Sequence, residues 1–262
     1  MKCRFCKNEL KHEFIDLLNS PPSNSYLTAE QLNEPEVYYP LKIYVCDNCF
    51  LVQVDEYKKS NDIFNSEYAY FSSVSSSWLE HSRKYVDMIS EKLDLSESSH
   101  VIEIASNDGY LLQYFVQKKI PCLGIEPTAS TAKAAREKGV DVIEDFFGER
   151  LSETLKKADL ILGNNVLAHV PDINDFVRGL KIALKPDGTI TMEFPHLLNL
   201  IKYNQFDTIY HEHFSYLSLF AVERIFREHG LKIYDVEELS THGGSLRIFA
   251  CHSGRSISAS AN

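Results

Sequence analysis

Short apolar runs alternate with segments of helical periodicity from His100 onward. The strand candidates in this part of the chain are Val101–Ala105, Cys122–Glu126, Val140–Glu144, Leu160–Asn164 and Thr189–Phe194. Strands that alternate with helical segments form parallel sheets, because each crossover helix carries the chain back to the start of the next strand. The pattern therefore predicts an α/β fold with helices on both faces of the sheet.

The pattern changes at its C-terminal end. We predict a helix over residues 219–229, because Ser218 can cap its N-terminus and Gly230 its C-terminus. Two more strands are predicted over residues 231–236 and 245–251. Since the segment between them is too short for a crossover helix, these two strands should pair antiparallel.

The N-terminal part is organised differently. The alternating run Leu41–Val45 and the turn-forming residues 20–24 are typical of a small β-rich module. A helix is predicted over residues 77–93. The predicted organisation is a module at 1–58, a linker and helix packing over the ligand site at 59–98, a sheet domain at 99–254 and a frayed tail at 255–262.

Composition and charge exclude several classes of protein. With 262 residues, 44% of them hydrophobic, the chain can form one catalytic domain and a short accessory module. Its 27 basic and 37 acidic residues give a net charge of -10, whereas nucleic-acid binders need a basic face. No membrane-spanning apolar run and no signal peptide are recognisable. We therefore expect a cytoplasmic protein that binds neither nucleic acid nor membranes.

The cysteines indicate a metal site. Two C-x-x-C motifs contain Cys3, Cys6, Cys46 and Cys49. Each motif directs two thiolates at one centre, and four thiolates complete the closed tetrahedral site that zinc prefers, so we predict a structural zinc ion. The alternative is two unrelated redox or buried pairs. Cys122 and Cys251 lie inside apolar strands and are predicted to be small core residues.

Polar residues at the ends of the first two strands of the sheet domain predict a nucleoside site. Asn107 and Gly109 follow the first strand, which contains Glu103, and Glu126 ends the second strand. Ligands of open α/β sheets bind beyond the carboxyl ends of the strands, where Gly109 allows a close backbone approach. A carboxylate at Glu126 can accept hydrogen bonds from both ribose hydroxyls. Together these residues are expected to bind an adenosine moiety.

Such a site would also suit NAD, but the chain has no G-x-G-x-x-G sequence to bind a pyrophosphate. Asp145 and Phe146 after the third strand could hold the adenine ring, and Asn164, Asn165 and His169 follow the fourth strand. This ordered set resembles the class I methyltransferase fold, which places S-adenosylmethionine across these loops. S-adenosylmethionine is therefore the expected cofactor.

An aromatic stretch precedes the sheet domain. Tyr68, Tyr70 and Phe71 could close over the cofactor, because aromatic faces favour a cation such as a sulfonium. Packing of a linker is the alternative interpretation of the same residues.

The segment Tyr210–Tyr216, which follows the fifth strand, contains candidate catalytic residues. Tyr210 and His213 are three residues apart and can face one cavity. Histidine, with an unperturbed pKa near 6.5, is the natural proton acceptor at neutral pH. Two alternatives are that the two histidines of this segment bind a metal together with His169 or His196, and that they are core residues.

Five motifs follow one another along nearly the whole chain. They are the four cysteines, Pro21–Ser25, Gly163–Val170, Tyr210–Tyr216 and His242–Arg247. The combination resembles the sugar-nucleotide C-methyltransferases of deoxysugar biosynthesis. The resemblance implies a class I S-adenosylmethionine-dependent methyltransferase sheet of seven mostly parallel strands, the last antiparallel, with a small zinc-binding N-terminal module.

The resemblance also implies a mechanism and residue roles. A keto group acidifies the adjacent sugar C–H, a base removes the proton, and the enolate attacks the methyl carbon. By motif, His213 would be the base, Tyr210 would hydrogen-bond near the reacting centre and Glu212 would orient them. The residues implied on the substrate side are His169, His211, His242 and Arg247.

Members of this family usually continue into a further C-terminal lobe that helps to hold the sugar nucleotide. Two hypotheses therefore remain open. One is an enzyme that C-methylates a nucleotide-linked keto-deoxysugar, and the other is a zinc- and cofactor-binding protein that is non-catalytic or needs a partner protein to supply the lobe. Methylation of an oxygen or nitrogen of another small molecule is a third possibility, and it demands less of the base.

Overall fold

The protein is described by a computed structural model that covers residues 1–24, 26–57, 59 and 70–259. The strands are β1 His12–Ser20, β2 Tyr39–Val45, β3 Val52–Val54, β4 Val101–Ile104, β5 Cys122–Ile125, β6 Asp141–Ile143, β7 Ala158–Asn164, β8 Leu184–Pro195, β9 Ser215–Tyr216, β10 Leu231–Leu239 and β11 Ser245–His252. The α-helices are α1 Ser76–Lys92, α2 Leu112–Gln117, α3 Ala129–Glu137, α4 Glu149–Ser152, α5 Ile173–Ala183, α6 Leu197–Tyr203 and α7 Leu219–Glu228. None of the helices in these ranges has the length and apolar character needed to cross a membrane.

The larger sheet has seven strands in the order β10-β11-β8-β7-β4-β5-β6. The neighbours from β8 to β6 are parallel, whereas β11 runs antiparallel to both β8 and β10. All four residues of β4 are buried, as expected of a parallel strand covered on both faces. The predicted sheet of seven strands with an antiparallel last strand is confirmed.

Helices cover both faces of this sheet. Phe176 from α5 and Phe226 from α7 belong to one buried cluster, and Tyr85 from α1 and Phe115 from α2 belong to a second. Burial of one such side chain stabilises a fold by roughly 1.5–3 kcal/mol. Helix α1 begins where Ser75 accepts a hydrogen bond from the Trp78 backbone N–H, close to the predicted start.

The strand boundaries differ from the prediction where charged residues are paired. The predicted strand over 231–236 extends in the structure to Leu239. Glu237, just beyond the predicted end, lies opposite Arg247 and accepts a hydrogen bond from it at 3.0 Å. Arg255, predicted to lie in a frayed tail, donates a hydrogen bond to the Gly188 carbonyl at 3.2 Å. Neither contact can be read from the sequence of one strand alone.

The smaller sheet joins the N-terminal module to a distant segment. Its strand order is β1-β2-β3-β9, and every neighbouring pair is antiparallel. Strand β9 lies far from the other three in sequence, and it pairs with β3 through Val52 opposite Tyr216 and Gln53 opposite Ser215. Phe214 packs in the core of this sheet. The segment that carries the candidate catalytic residues is therefore part of the module's sheet.

Candidate active site

The four cysteines of the two C-x-x-C motifs form one cluster. Their sulfur atoms all lie within 4.8 Å of one another, and the Sγ–Sγ distances are 3.5 Å for Cys3 and Cys49 and 3.5 Å for Cys6 and Cys46. None of the four is in a disulfide. Zn–S bonds of about 2.3 Å place the sulfurs of a tetrahedral site roughly 3.8 Å apart, so the cluster fits zinc. Among the described residues it is the single cluster of potential metal ligands.

A buried glutamine supports this cluster. The Gln53 side chain donates a hydrogen bond from Nε2 to Cys3 Sγ at 3.2 Å, and its Oε1 accepts one from the Arg4 backbone N–H at 2.8 Å. Partners of this kind orient metal ligands and stabilise the thiolate form. Because Gln53 lies in β3, the cluster is tied directly to the smaller sheet.

A cavity of about 1150 Å³ opens at the carboxyl ends of the parallel strands and extends to the smaller sheet. The predicted site residues that line it are Tyr70, Asn107, Glu126, Asp145, Phe146, Asn164, Asn165, His169, Tyr210, Glu212, His213 and His242. The predicted site residues that do not line it are Phe71, Glu103, Gly109, His211 and Arg247. Tyr68 lies outside the described residues. We call the end lined by Asn107, Glu126 and Asp145 the Glu126 half, and the end lined by Tyr210, Glu212 and His213 the His213 half.

In the Glu126 half, a buried carboxylate is fixed by the backbone. Glu126 accepts hydrogen bonds from the Asn107 N–H and the Thr128 N–H, each at 2.9 Å. Burial raises the pKa of Glu126, and these N–H groups oppose the shift. Because each carboxylate oxygen has a second lone pair, the group can still accept hydrogen bonds from a ligand.

The Asn107 side chain holds the segment before α1. Its Oδ1 accepts a hydrogen bond from the Ser72 N–H at 2.9 Å, and its Nδ2 donates one to the Tyr70 carbonyl at 3.0 Å. Asp108 accepts a hydrogen bond from the Ser73 hydroxyl. Both ends of the Asn107 amide are therefore used to fix Tyr70 at the cavity.

Two residues that were predicted to contact the cofactor, Glu103 and Gly109, do not line the cavity. Glu103 is fully buried in β4, and burial raises its pKa well above the ordinary value, although the Tyr110 hydroxyl opposes the shift. Gly109 has a φ of +72°, and a Cβ there would lie 3.1 Å from Ala135. Gly109 is therefore needed where the turn packs against α3 rather than at the cavity surface.

The His213 half contains a hydrogen-bonded tyrosine and histidine. The Nδ1 of His213 lies 2.9 Å from the Thr208 carbonyl oxygen, and the Nε2 lies 2.9 Å from the Tyr210 hydroxyl. A carbonyl can only accept, so Nδ1–H donates to it, and in the neutral ring Nε2 accepts from Tyr210. Burial lowers the pKa of His213 to about 4, and burial raises the pKa of Tyr210. Both groups are therefore neutral at neutral pH.

Further polar groups surround this pair. The His169 ring meets the His213 ring edge-on at 4.7 Å between centroids, and burial lowers the pKa of His169. Glu212 Oε1 accepts hydrogen bonds from Ser23 Oγ at 3.1 Å and from Asn24 Nδ2 at 2.8 Å. Ser23 and Asn24 are not among the predicted site residues, and their signal in the sequence is the pair of polar side chains that follows two prolines.

His211 and Arg247 are held by other parts of the protein. His211 donates a hydrogen bond from Nε2 to the Pro40 carbonyl at 3.2 Å, and its ring centroid lies 6.0 Å from that of Tyr39. Arg247 donates to Glu193 at 2.8 Å and to Glu237 at 3.0 Å, and it is buried. The Arg247 charge is thus balanced by two carboxylates of the protein.

His242 lines the cavity from a tight turn. Its φ is 51°, and Gly243 and Gly244 follow with φ values of 76° and 111°. Glycine is favoured at position 244 because side-chain-bearing residues rarely adopt a φ of +111°, and a Cβ there would also displace the Asn199 side chain. The His242 ring contacts the Trp78 ring edge-on at 4.9 Å between centroids.

Comparison with known proteins agrees with this architecture. A family model described as "Putative zinc binding domain" matches residues 3–64, and one described as "Methyltransferase domain" matches residues 78–236. The chain belongs to the methyltransferase-domain family.

Two curated relatives show how far the similarity extends. The chain is 34% identical over 253 residues to the C-methyltransferase NovU of Streptomyces niveus, covering 95% of this chain and 60% of that protein. It is 25% identical over 150 residues to a ubiquinone biosynthesis O-methyltransferase of Actinobacillus pleuropneumoniae, covering 50% of this chain and 64% of that protein. The chain thus spans less than two thirds of either relative.

Solved structures show the same fold. Magnesium protoporphyrin IX methyltransferase from Synechocystis PCC 6803 superposes with a TM-score of 0.55 at 15% identity, covering 67% of this chain and 83% of that one. A methyltransferase from Clostridium acetobutylicum superposes with a TM-score of 0.54 at 11% identity, covering 67% of this chain and 92% of that one. The predicted class I S-adenosylmethionine-dependent methyltransferase fold, its cofactor and the zinc-binding module are confirmed.

Proposed function

We propose that this protein transfers a methyl group from S-adenosylmethionine to a carbon atom of a nucleotide-linked keto-deoxysugar. The observation that carries the proposal is the neutral, hydrogen-bonded Tyr210–His213 pair, whose Nε2 atom is a proton acceptor beside the cavity. A C–H bond needs such an acceptor, whereas an oxygen or nitrogen nucleophile already has a lone pair. The similarity to a protein named C-methyltransferase supports the same choice.

The Glu126 half would hold the cofactor. Glu126 would accept hydrogen bonds from the ribose hydroxyls, and the other residues proposed to contact the cofactor are Tyr70, Asn107, Asp145, Phe146, Asn164, Asn165 and His169. Glu103 and Gly109 would support this half through packing. When bound, S-adenosylmethionine supplies an electrophilic methyl group.

The His213 half would generate the carbon nucleophile. The proton next to the sugar carbonyl would reach the Tyr210 oxygen as that hydroxyl passes its own proton to His213 Nε2, or would reach Nε2 directly once the Tyr210 hydroxyl has released it. The hydrogen bond from Nδ1–H to Thr208 fixes the ring and strengthens when the ring becomes an imidazolium. His169 and His242 would lie on the substrate side, where negative charge develops on the enolate oxygen.

The charges around the cavity bear on how a sugar nucleotide would bind. The carboxylates among its described lining residues are Glu56, Glu126, Asp145, Asp172, Asp175, Asp207 and Glu212, and its lysine is Lys59. A diphosphate would be repelled by this set. We therefore place the uncharged sugar ring in the cavity and the diphosphate outside it, where a further lobe or a partner protein would be needed to bind it.

We also place the protein in the cytoplasm. Four thiolates that bind zinc require a reducing compartment, because an oxidising one favours disulfides.

The proposal is tested by titrating S-adenosylmethionine into the zinc-loaded protein and its His213→Ala variant, followed by methyl-transfer assays on keto-sugar nucleotides. We expect micromolar binding by both proteins and turnover by the wild type alone, with the new methyl group on carbon in the product's NMR spectrum. Methyl groups on oxygen or nitrogen would instead support the alternative acceptor class. Binding without turnover on any acceptor would support the non-catalytic alternative.

A further inference from the structure

Arg4 lies between two zinc ligands in sequence, yet its side chain contacts the methyltransferase domain. Its Nη1 donates a hydrogen bond to the Pro171 carbonyl at 2.8 Å, and its Nη2 donates one to the Val54 carbonyl at 2.6 Å. The guanidinium carbon lies 5.3 Å from the centroid of the Phe214 ring. One rigid group therefore joins three segments that are far apart in the chain.

Two of these segments, those of Pro171 and Val54, are connected to the surroundings of His213. Pro171 ends the loop that brings the His169 ring to 4.7 Å from the His213 ring. Val54 donates its N–H to the Phe214 carbonyl at 3.2 Å, and Phe214 directly follows His213. Displacement of either segment would move the imidazole relative to the substrate.

The C-x-x-C turn that carries Arg4 is itself fixed. Asn174 on α5 donates hydrogen bonds from Nδ2 to the Arg4 carbonyl at 3.2 Å and to the Phe5 carbonyl at 2.9 Å. Gln53 binds both the Arg4 N–H and the Cys3 sulfur. Zinc bound by the cysteines would hold this turn, and the turn holds the guanidinium.

We propose that Arg4 is a positioning residue for proton transfer, through which the zinc module sets the geometry of His213. Arg4 does not line the cavity, so it acts through Phe214 and Pro171 rather than on the substrate. A planar guanidinium can bind two carbonyls at once, whereas a lysine ammonium is a single point of contact. The role of His213 as the acceptor rests on the proposed function, but the positioning of its ring does not.

The test compares Arg4→Met and Arg4→Lys with Lys2→Met, which removes an exposed cation next to the same zinc ligand. For Arg4→Met we expect kcat to fall about 10- to 100-fold, since small displacements of catalytic groups have effects of this size. Zinc content and the Kd for S-adenosylmethionine should stay within about twofold of the wild-type values. Arg4→Lys should recover part of kcat, and Lys2→Met should match the wild type.

Hydrogen exchange of the His213 Nδ1–H, followed by NMR and assigned with His213→Asn, gives a readout that needs no turnover. We expect slow exchange in the wild type and faster exchange in Arg4→Met, whatever the substrate proves to be. Unchanged kcat and unchanged exchange in Arg4→Met would overturn the proposal. Parallel loss of zinc, cofactor binding and kcat would overturn it too, because Arg4 would then only support folding.

Discussion

The two halves of the cavity are assembled from the chain in opposite ways. Apart from Tyr70, the Glu126 half comes from loops that follow β4, β5, β6 and β7, within one continuous part of the sequence. The His213 half combines the segment before β9 with β3 and with the turn at residues 23–24. The Glu126 half depends on the strand order of the larger sheet. The His213 half forms only when the N-terminal module is folded against the methyltransferase domain. Changes to the module should therefore affect turnover more than cofactor binding.

The largest effect should come from His213→Ala. Loss of a general base lowers kcat by about 10²- to 10⁴-fold, and we expect a fall near the upper end because His213 Nε2 is the hydrogen-bond partner of the Tyr210 hydroxyl. The Kd for S-adenosylmethionine, measured by calorimetry, should stay within about twofold. His211→Ala is the matched control, since His211 binds the Pro40 carbonyl outside the cavity. Equal losses of kcat in the two variants would contradict distinct roles.

Zinc removal should have the next largest effect. Chelation would release the turn that carries Arg4 and loosen β3 against β9, so we expect turnover to fall at least about 100-fold. Binding of S-adenosylmethionine should persist, because the Glu126 half lies in the larger sheet. Added zinc should restore turnover. Loss of cofactor binding in step with zinc would show that the two halves are not separable.

Glu126→Gln tests the other half of the cavity, where it should weaken cofactor binding rather than turnover. A hydrogen bond to a charged group is worth about 1.5–3 kcal/mol, so the Kd for S-adenosylmethionine should rise about tenfold or more. At saturating cofactor, kcat should change little. Glu144→Gln provides the control, because Glu144 follows the neighbouring strand but is exposed and does not line the cavity. A fall in kcat at saturation would mean that Glu126 also positions the reacting methyl group.

The smallest predicted effect is the change in kcat/KM with pH near neutrality. Burial lowers the pKa of His213 from 6.5 to about 4, with the Thr208 carbonyl opposing and His242 reinforcing the shift. The free base is the active form, so kcat/KM should stay level as pH falls through 6.5 and decline only near 4. The contribution of His213 to stability is present above pH 6.5 and is lost as pH falls towards 4, because the unfolded state binds the proton first. An acidic limb with an apparent pKa near 6.5 would contradict the burial argument.

The sequence could predict the larger sheet because its strands are short apolar runs separated by helical segments. It could also predict that Glu126 lies at a strand end, because that position follows from the sheet order alone. It could not predict that residues 215–216 join the N-terminal sheet, since a strand of two residues has no detectable period.

Two of the predicted site residues, His211 and Arg247, lie outside the cavity for reasons that become visible only in the fold. His211 and His213 lie on a turn in which the His213 N–H donates to the Tyr210 carbonyl at 3.1 Å. The two rings enter different surroundings, because His211 lies beside Tyr39 whereas His213 lines the cavity. Arg247 pairs with Glu193 and Glu237, which lie on the two strands beside its own, and Glu193 is 54 residues away in sequence. Contacts of this kind become visible only when the strand register is known.

The central claim is that His213 accepts a proton from carbon, and isotope exchange tests it most directly. The zinc-loaded protein would be incubated with a keto-sugar nucleotide and S-adenosylhomocysteine in D₂O, and deuterium at the carbon next to the carbonyl would be followed by NMR. We predict that the wild type accelerates this exchange and that His213→Ala does not. Methyl transfer without exchange by the wild type, or equal exchange by His213→Ala, would contradict it.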